Sequence, residues 1–255
     1  MADLIYNEQG RLLFTEEMKE EYTVLVPQML PVHFSLIVKI FNNHGYKMKV
    51  LNNKGRRVVD EGLRNVHNDT CYPALLVIGQ MMDALKSGEY DLNKTALMMT
   101  QTGGGCRASN YINLIRKALK NNDMAQVPVI SLNLSNLEKN PGFKLTPDLL
   151  YELIVAICYG DILMWTGNQV RPYENTKGET DALIEKWQNR LIKEGFSLAK
   201  FKSNARQMIS DFEKIAYTPA EKVRVGIVGE IYIKYSPLGN NNLEEFLQSE
   251  GAEVV

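Results

Sequence analysis

Cys106 follows three consecutive glycines, Gly103, Gly104 and Gly105, in the segment 97–113, LMMTQTGGGCRASNYIN. An apolar run ends there in polar residues, and a helical pattern begins just past the cysteine. The order describes a strand, a tight turn with exposed backbone, and a helix carrying a thiol at its tip. Glycines without a Cβ let the backbone bend and let a bulky group approach it. The first turn of a helix has unpaired N–H groups and a positive dipole end, which favour anions and thiolates. Cys71 occupies a similar place in HNDTCYP, before a helix whose start is marked by Pro73. In an open α/β sheet, the loops beyond the strand carboxyl ends gather in one crevice. That topology brings Cys71 and Cys106 into a joint site. The alternative is two unrelated buried cysteines.

Soft thiolates select iron–sulfur clusters, zinc or copper(I). The chain has no CxxC pair, which disfavours a zinc finger or ribbon. A [4Fe–4S] cluster ordinarily takes four cysteines, and this chain has three. Cys158 lies in the apolar stretch LIVAICYGDIL, where it reads as a small buried hydrophobe and only secondarily as a ligand. The glycine triplet lacks the Lys-[Ser/Thr] of a P-loop, although its amides and Arg107 could still hold a phosphate. Arg107 could also balance cluster charge. Asn110 and Tyr111 could hydrogen-bond a sulfur or a substrate carbonyl. His67, four residues before Cys71, could be a proton donor but reads first as an exposed loop histidine. Arg171, Tyr173 and Glu174 read as a salt-bridged structural loop. Gly229, Glu230 and Tyr232 form a weaker second region after a late strand.

The elements that position these residues alternate. Residues 22–27, 47–51, 95–100 and 127–132 read as strands. Helices are expected over 34–43, from Pro73 onward and after the glycine turn, with a polar loop and a short helix over 52–70. The fold class is α/β: an open, mainly parallel sheet with flanking helices, followed by a helical segment and the start of a second α/β unit. The divisions are an N-terminal extension over 1–20, an α/β domain over 21–145, a helical segment over 146–220 and a further α/β unit over 221–255. The last pattern, a strand at 223–229, a helix at 241–249 and a strand entry at 251–255, stops at Val255. It reads as a fragment of a longer protein or as a last strand that joins the first sheet.

Composition excludes several classes. The 255 residues are 45% hydrophobic and 23% charged, with 29 basic and 30 acidic side chains and a net charge of -1. Such a balance offers no basic field for nucleic acid. The N-terminus does not read as a signal peptide. The apolar stretch 149–165 is interrupted by Glu152 and Asp161 and reads as a buried helix rather than a membrane span. Three cysteines without a targeting signal suggest free thiols or metal ligation in the cytoplasm.

The motifs NDTCYPALLVIGQMMDAL, TQTGGGCRASNYINLIRKAL and VPVISLNL resemble the 2-hydroxyacyl-CoA dehydratase superfamily. The closest resemblance is to the cysteine-containing region associated with CoA-enzyme activases. The later segments GDILMWTGNQVRPYENTKGETDALIEKW and VGIVGEIYIKYSPLGNNN fit the same family, so the likeness runs from about Thr23 onward. It implies an oxygen-sensitive [4Fe–4S] cluster held by Cys71 and Cys106, in anaerobic metabolism. It also implies one-electron transfer from an ATP-dependent activator and radical dehydration of an (R)-2-hydroxyacyl-CoA. A homo- or hetero-oligomer is implied, with the remaining ligands on a partner, beyond Val255, or an oxygen such as that of Asp69. The actin-like phosphate loops of the activator itself are absent from the sequence. Two rival readings stand beside this one: a non-catalytic CoA-binding or activator-docking module without a cluster, and an anion-binding α/β domain.

Overall fold

A computed structural model describes residues 2–67, 69–101, 110–133 and 138–255. The chain divides into two compact units. The first comprises Met1–Gln28 and Phe41–Leu145, the second Met29–Ile40 and Thr146–Val255.

The first unit is built on four parallel strands, β1 (Thr23–Val26), β2 (Lys47–Val50), β3 (Thr95–Thr100) and β4 (Val129–Leu132), in the order β2-β1-β3-β4. The expected α/β class is therefore observed. β1 and β3 lie in the middle and are almost wholly apolar, as strands covered on both faces must be. β2, at an edge, alternates exposed Lys47 and Lys49 with buried Met48; lysines on an edge discourage pairing with another chain. Register runs Thr23 to Lys47 and to Thr95, and Leu97 to Val129.

Helices α3 (Arg56–Asn65), α4 (Tyr72–Lys86) and α5 (Tyr111–Asn121) complete the layer. Residues 73–85 of α4 are all buried. α3 crosses α4 at two glycines: a Cβ on Gly62 would fall 2.4 Å from the Leu75 carbonyl oxygen, and one on Gly79 would fall 2.1 Å from that of Val58. Residues 1–20 are more than an extension. Phe14 and Met18 are fully buried, and α1 (Glu16–Glu21) is capped by Thr15, whose hydroxyl accepts from the Met18 amide. Glu138 ties this segment down by accepting from Arg11 at 3.0 Å and from Arg116 of α5 at 2.8 and 2.6 Å.

Glu61 links α3 to α4. Its carboxylate, almost out of solvent, accepts from Lys86 at 2.7 Å and from Arg64 at 2.8 Å. Burial pushes its pKa up, but the bonds and charges of Lys86 and Arg64 outweigh this and hold it below the ordinary range. A carboxyl depressed by folding adds stability that is complete above its unfolded value, about 4.3, and is lost as pH falls through the folded one. Glu61→Gln is expected to lower stability at neutral pH and to flatten the fall in stability below about pH 4.3. Denaturant titrations from pH 7 to 3 check this; an acid limb as steep as that of the wild type would refute it.

The second unit begins with the first ten residues of α2 (Pro31–Asn43) and continues with α6 (Pro147–Val170), α7 (Glu179–Glu194) and α8 (Leu198–Phe212). Thr146 caps α6 by accepting from the Leu149 amide, with Pro147 in the first turn. By length and composition alone, the span Pro147–Tyr173 is long and apolar enough to cross a membrane. The expectation of a buried helix holds for one face only. Val155, Ala156, Tyr159 and Leu163 are buried, whereas Tyr151, Ile154, Ile157, Cys158 and Trp165 are exposed. α6 is apolar around its whole circumference, so periodicity could not show which side is covered.

The strand expected over 223–229 shrinks to β5 (Arg224–Val225). It pairs in parallel with β6 (Glu253–Val254) and not with the first sheet. Between them lie α9 (Ile231–Tyr235), α10 (Pro237–Asn240) and α11 (Leu243–Ser249). Glu230 caps α9, accepting from the amides of Tyr232 and Ile233. That is a structural task for a residue of the second candidate region.

Candidate functional site

All four strands of the first sheet are parallel, so their carboxyl ends share one edge. The chain leaves β1 toward β2 on one side, while β3 and β4 lie on the other. Helices therefore depart to opposite sides between β1 and β3, the place where open α/β sheets form crevices. β3 ends at this edge with Thr100, just before the glycine–cysteine segment in sequence. Gly103, Gly104, Gly105, Cys106 and Arg107 lie outside the described residues.

Cys71 is the N-cap residue of α4 and is exposed. Its backbone is extended, its side chain makes no capping bond, and Pro73 sits in the first turn. The sulfur is left available, beside a turn whose first amides have no helical partner. Cys71 Sγ lies 3.5 Å from the hydroxyl of Tyr111. Tyr111 opens α5, five positions after Cys106 in sequence. Since α5 must return antiparallel to the strands, its first residue marks the carboxyl-end side, and Cys71 is on that side too. Two helix N-termini thus meet at Cys71 and Tyr111.

Around them the polar groups are tied down locally. His67 Nδ1 accepts from the Asp69 amide at 3.2 Å and lies 3.2 Å from Asp69 Oδ2, both side chains exposed. Asn110 stands at the N-cap position of α5 without capping it, and its oxygen accepts from Asn113 at 2.9 Å. At the ends of β3 and β4, the Ser131 hydroxyl donates to Gln101 Oε1 at 2.7 Å, and Asn133 donates to Ser131 Oγ at 2.9 Å. This amide–hydroxyl cluster at the crevice edge was not singled out from the sequence. Its signal was the placement of Gln101 and Ser131–Asn133 at two strand ends. Among the described residues, no group of three or more His, Cys, Asp and Glu side chains could hold a metal. The described part of the first unit contains one thiol, that of Cys71.

Cys158 is on α6 of the second unit, on the exposed side of that helix. The expectation that it is a small buried hydrophobe is not met. The loop of Arg171, Tyr173 and Glu174 is structural. Arg171 donates twice to Asp181, at 2.8 and 2.9 Å, and the Tyr173 hydroxyl donates to Glu253 at 2.7 Å. Glu174 accepts from the Gly178 and Thr180 amides, at 2.6 and 2.7 Å, at the head of α7. Burial pushes the Glu174 pKa up, but these bonds prevail and hold it low.

The chain matches no protein-family model, no curated protein and no solved structure.

Proposed function

We propose that the first unit is a cytoplasmic iron–sulfur redox domain of the 2-hydroxyacyl-CoA dehydratase/activase type. The observation that carries this reading is the exposed, uncapped thiol of Cys71 at the head of α4, beside the first residue of the helix that follows the glycine–cysteine segment. Cys71 and Cys106 would be thiolate ligands, and the glycines would give the group room and amide donors. A [4Fe–4S] cluster, when bound, supplies low-potential one-electron chemistry. The Tyr111 hydroxyl is within reach of Cys71 Sγ as a hydrogen-bond donor, and donors to ligating sulfur tune such groups. The amides of α4's first turn present partial positive charge to the same position. An ATP-dependent activator would deliver the electron. An acyl-CoA would be the substrate if the chain acts with a complete ligand set.

Anaerobic reconstitution with iron and sulfide tests the reading. Bound iron and sulfide in near-equal amounts, with an EPR signal on reduction, are the expected result. Protein that emerges without iron would overturn it in favour of a module that docks or binds CoA without a cluster.

A further inference from the structure

α6 leaves one of its sides bare. Tyr151, Ile154, Cys158, Asp161 and Trp165 are spaced alternately by three and four residues, which keeps them in one stripe along the helix. All five are exposed, Trp165 by 67%. α8 borders the stripe, since the Leu198 amide donates to the Tyr151 hydroxyl at 2.7 Å. Leu198 and Ile209, about three turns apart, share a side of α8 and are exposed as well.

The area of this patch is that of an interface. An aromatic side chain carries about 150–250 Å², so Trp165 and Tyr151 at their exposures present about 250 Å². Ile154, Leu198 and Ile209, each about half exposed, add a comparable amount of aliphatic surface. A patch on the order of 500 Å² stands at the upper end of what a monomer leaves in water. Covering it on two molecules at once removes about 1,000 Å², the size at which specific interfaces begin.

The stripe also matches itself. Cys158 is its midpoint, with Tyr151 seven residues before it and Trp165 seven after. Turned about a two-fold axis at Cys158, Tyr151 meets the partner's Trp165 at both ends, and the two Cys158 side chains meet in the middle. Such self-matching is what a two-fold interface requires, and large aromatic side chains are its usual anchors. Asp161 fixes the direction of pairing. Its carboxylate, 64% exposed, accepts from His33 Nε2 at 2.9 Å within its own chain. Parallel helices would set each Asp161 against its own copy, a costly meeting of like charges. Antiparallel helices keep the two apart by six residues, about 9 Å along the axis. The same carboxylate opposes a lipid surface, which would have to take it out of water.

We infer that a second copy of this chain covers this face, with α6 packed antiparallel on the partner's α6 across a two-fold axis at Cys158. All the residues involved belong to the second unit, so the inference is independent of the iron–sulfur reading.

Sedimentation equilibrium of the wild-type chain, up to about 100 μM, should give twice the 29.0 kDa of one chain. Trp165→Glu should weaken the association about thirtyfold or more, the loss of one aromatic anchor. Its circular dichroism spectrum should not change, because the replaced side chain is exposed. A short bis-maleimide should join wild-type chains into a covalent dimer, and Cys158→Ala should abolish that product. Tyr151→Cys in the Cys158→Ala background should not link to its own copy, which lies about 21 Å away along the paired helices. A wild-type chain that remains a monomer would overturn the inference, and flotation of that monomer with phosphatidylcholine vesicles would assign the face to lipid instead. A dimer indifferent to Trp165→Glu, or one that links through Tyr151→Cys, would overturn it equally.

Discussion

Alanine at Cys71 or at Cys106 is expected to remove bound iron almost completely. Losing even an outer partner of a metal ligand costs about 10–100-fold in affinity, and losing a ligand should cost more than that. The Cys71 change is the cleaner experiment. Its side chain caps nothing, is exposed, and has Tyr111 as its hydrogen-bonding neighbour. Cys71→Ala should therefore keep α4 and its melting temperature while losing iron, sulfide and the EPR signal. Cys158→Ala, on the exposed side of α6 in the other unit, should retain all three. Undiminished iron in the Cys71 variant would remove it from the ligand set. Loss in the Cys158 variant alone would move the site to the second unit.

Alanine at Gly79 is expected to destabilise the first unit by about 3 kcal/mol or more, the upper end of overpacking costs. Two effects compete. Alanine favours a helix over glycine by about 1 kcal/mol. Against this, the new Cβ would fall 2.1 Å from the Val58 carbonyl oxygen and 2.7 Å from the Gly62 nitrogen. Both obstacles are backbone, so no rotamer change makes room, and α3 and α4 must separate. The contact term wins. Urea denaturation followed by circular dichroism measures the outcome, and a variant within about 1 kcal/mol of the wild type would show that the crossing yields. Gly62→Ala meets the Leu75 carbonyl oxygen and should behave alike.

The parallel sheet was legible because TVLV and VISL are short apolar runs between helical patterns, and Pro73 marked the start of α4. α3 was harder to read, because its buried side is narrow: Val58, Glu61 and Gly62. In a sequence, a buried glutamate and a glycine look like surface and breaker. Only the Lys86 and Arg64 partners and the close crossing explain them. Phe14 closes a three-residue apolar run after Leu12 and Leu13, and Met18 stands alone among charges, so 1–20 carried no sustained periodicity to betray its burial. β5 and β6 are two residues each because they pair only with each other; the apolar run 223–229 exceeds what a partner of that length can hold.

At the site, the cap position of Cys71 followed from Pro73, but its meeting with Tyr111 depends on how α4 and α5 align on the sheet. His33 gave no signal at all. Its partner Asp161 is 128 residues away, and a single histidine in an apolar helix has no pattern.

The glycine crossing also bears on what it costs to assemble anything at the head of α4. With backbone against backbone at Gly62 and Gly79, α4 has no slack for sliding or rolling along α3. Cys71, at its tip, is carried by a rigid strut. Its conformational freedom is spent when the chain folds and not when a ligand arrives, so a group captured there meets one arm at a fixed local concentration. Preorganisation of this kind strengthens binding by removing an ordering cost rather than by adding a contact. A variant that loosened the crossing without unfolding the unit would lower metal affinity from a distance, with every ligating atom still present.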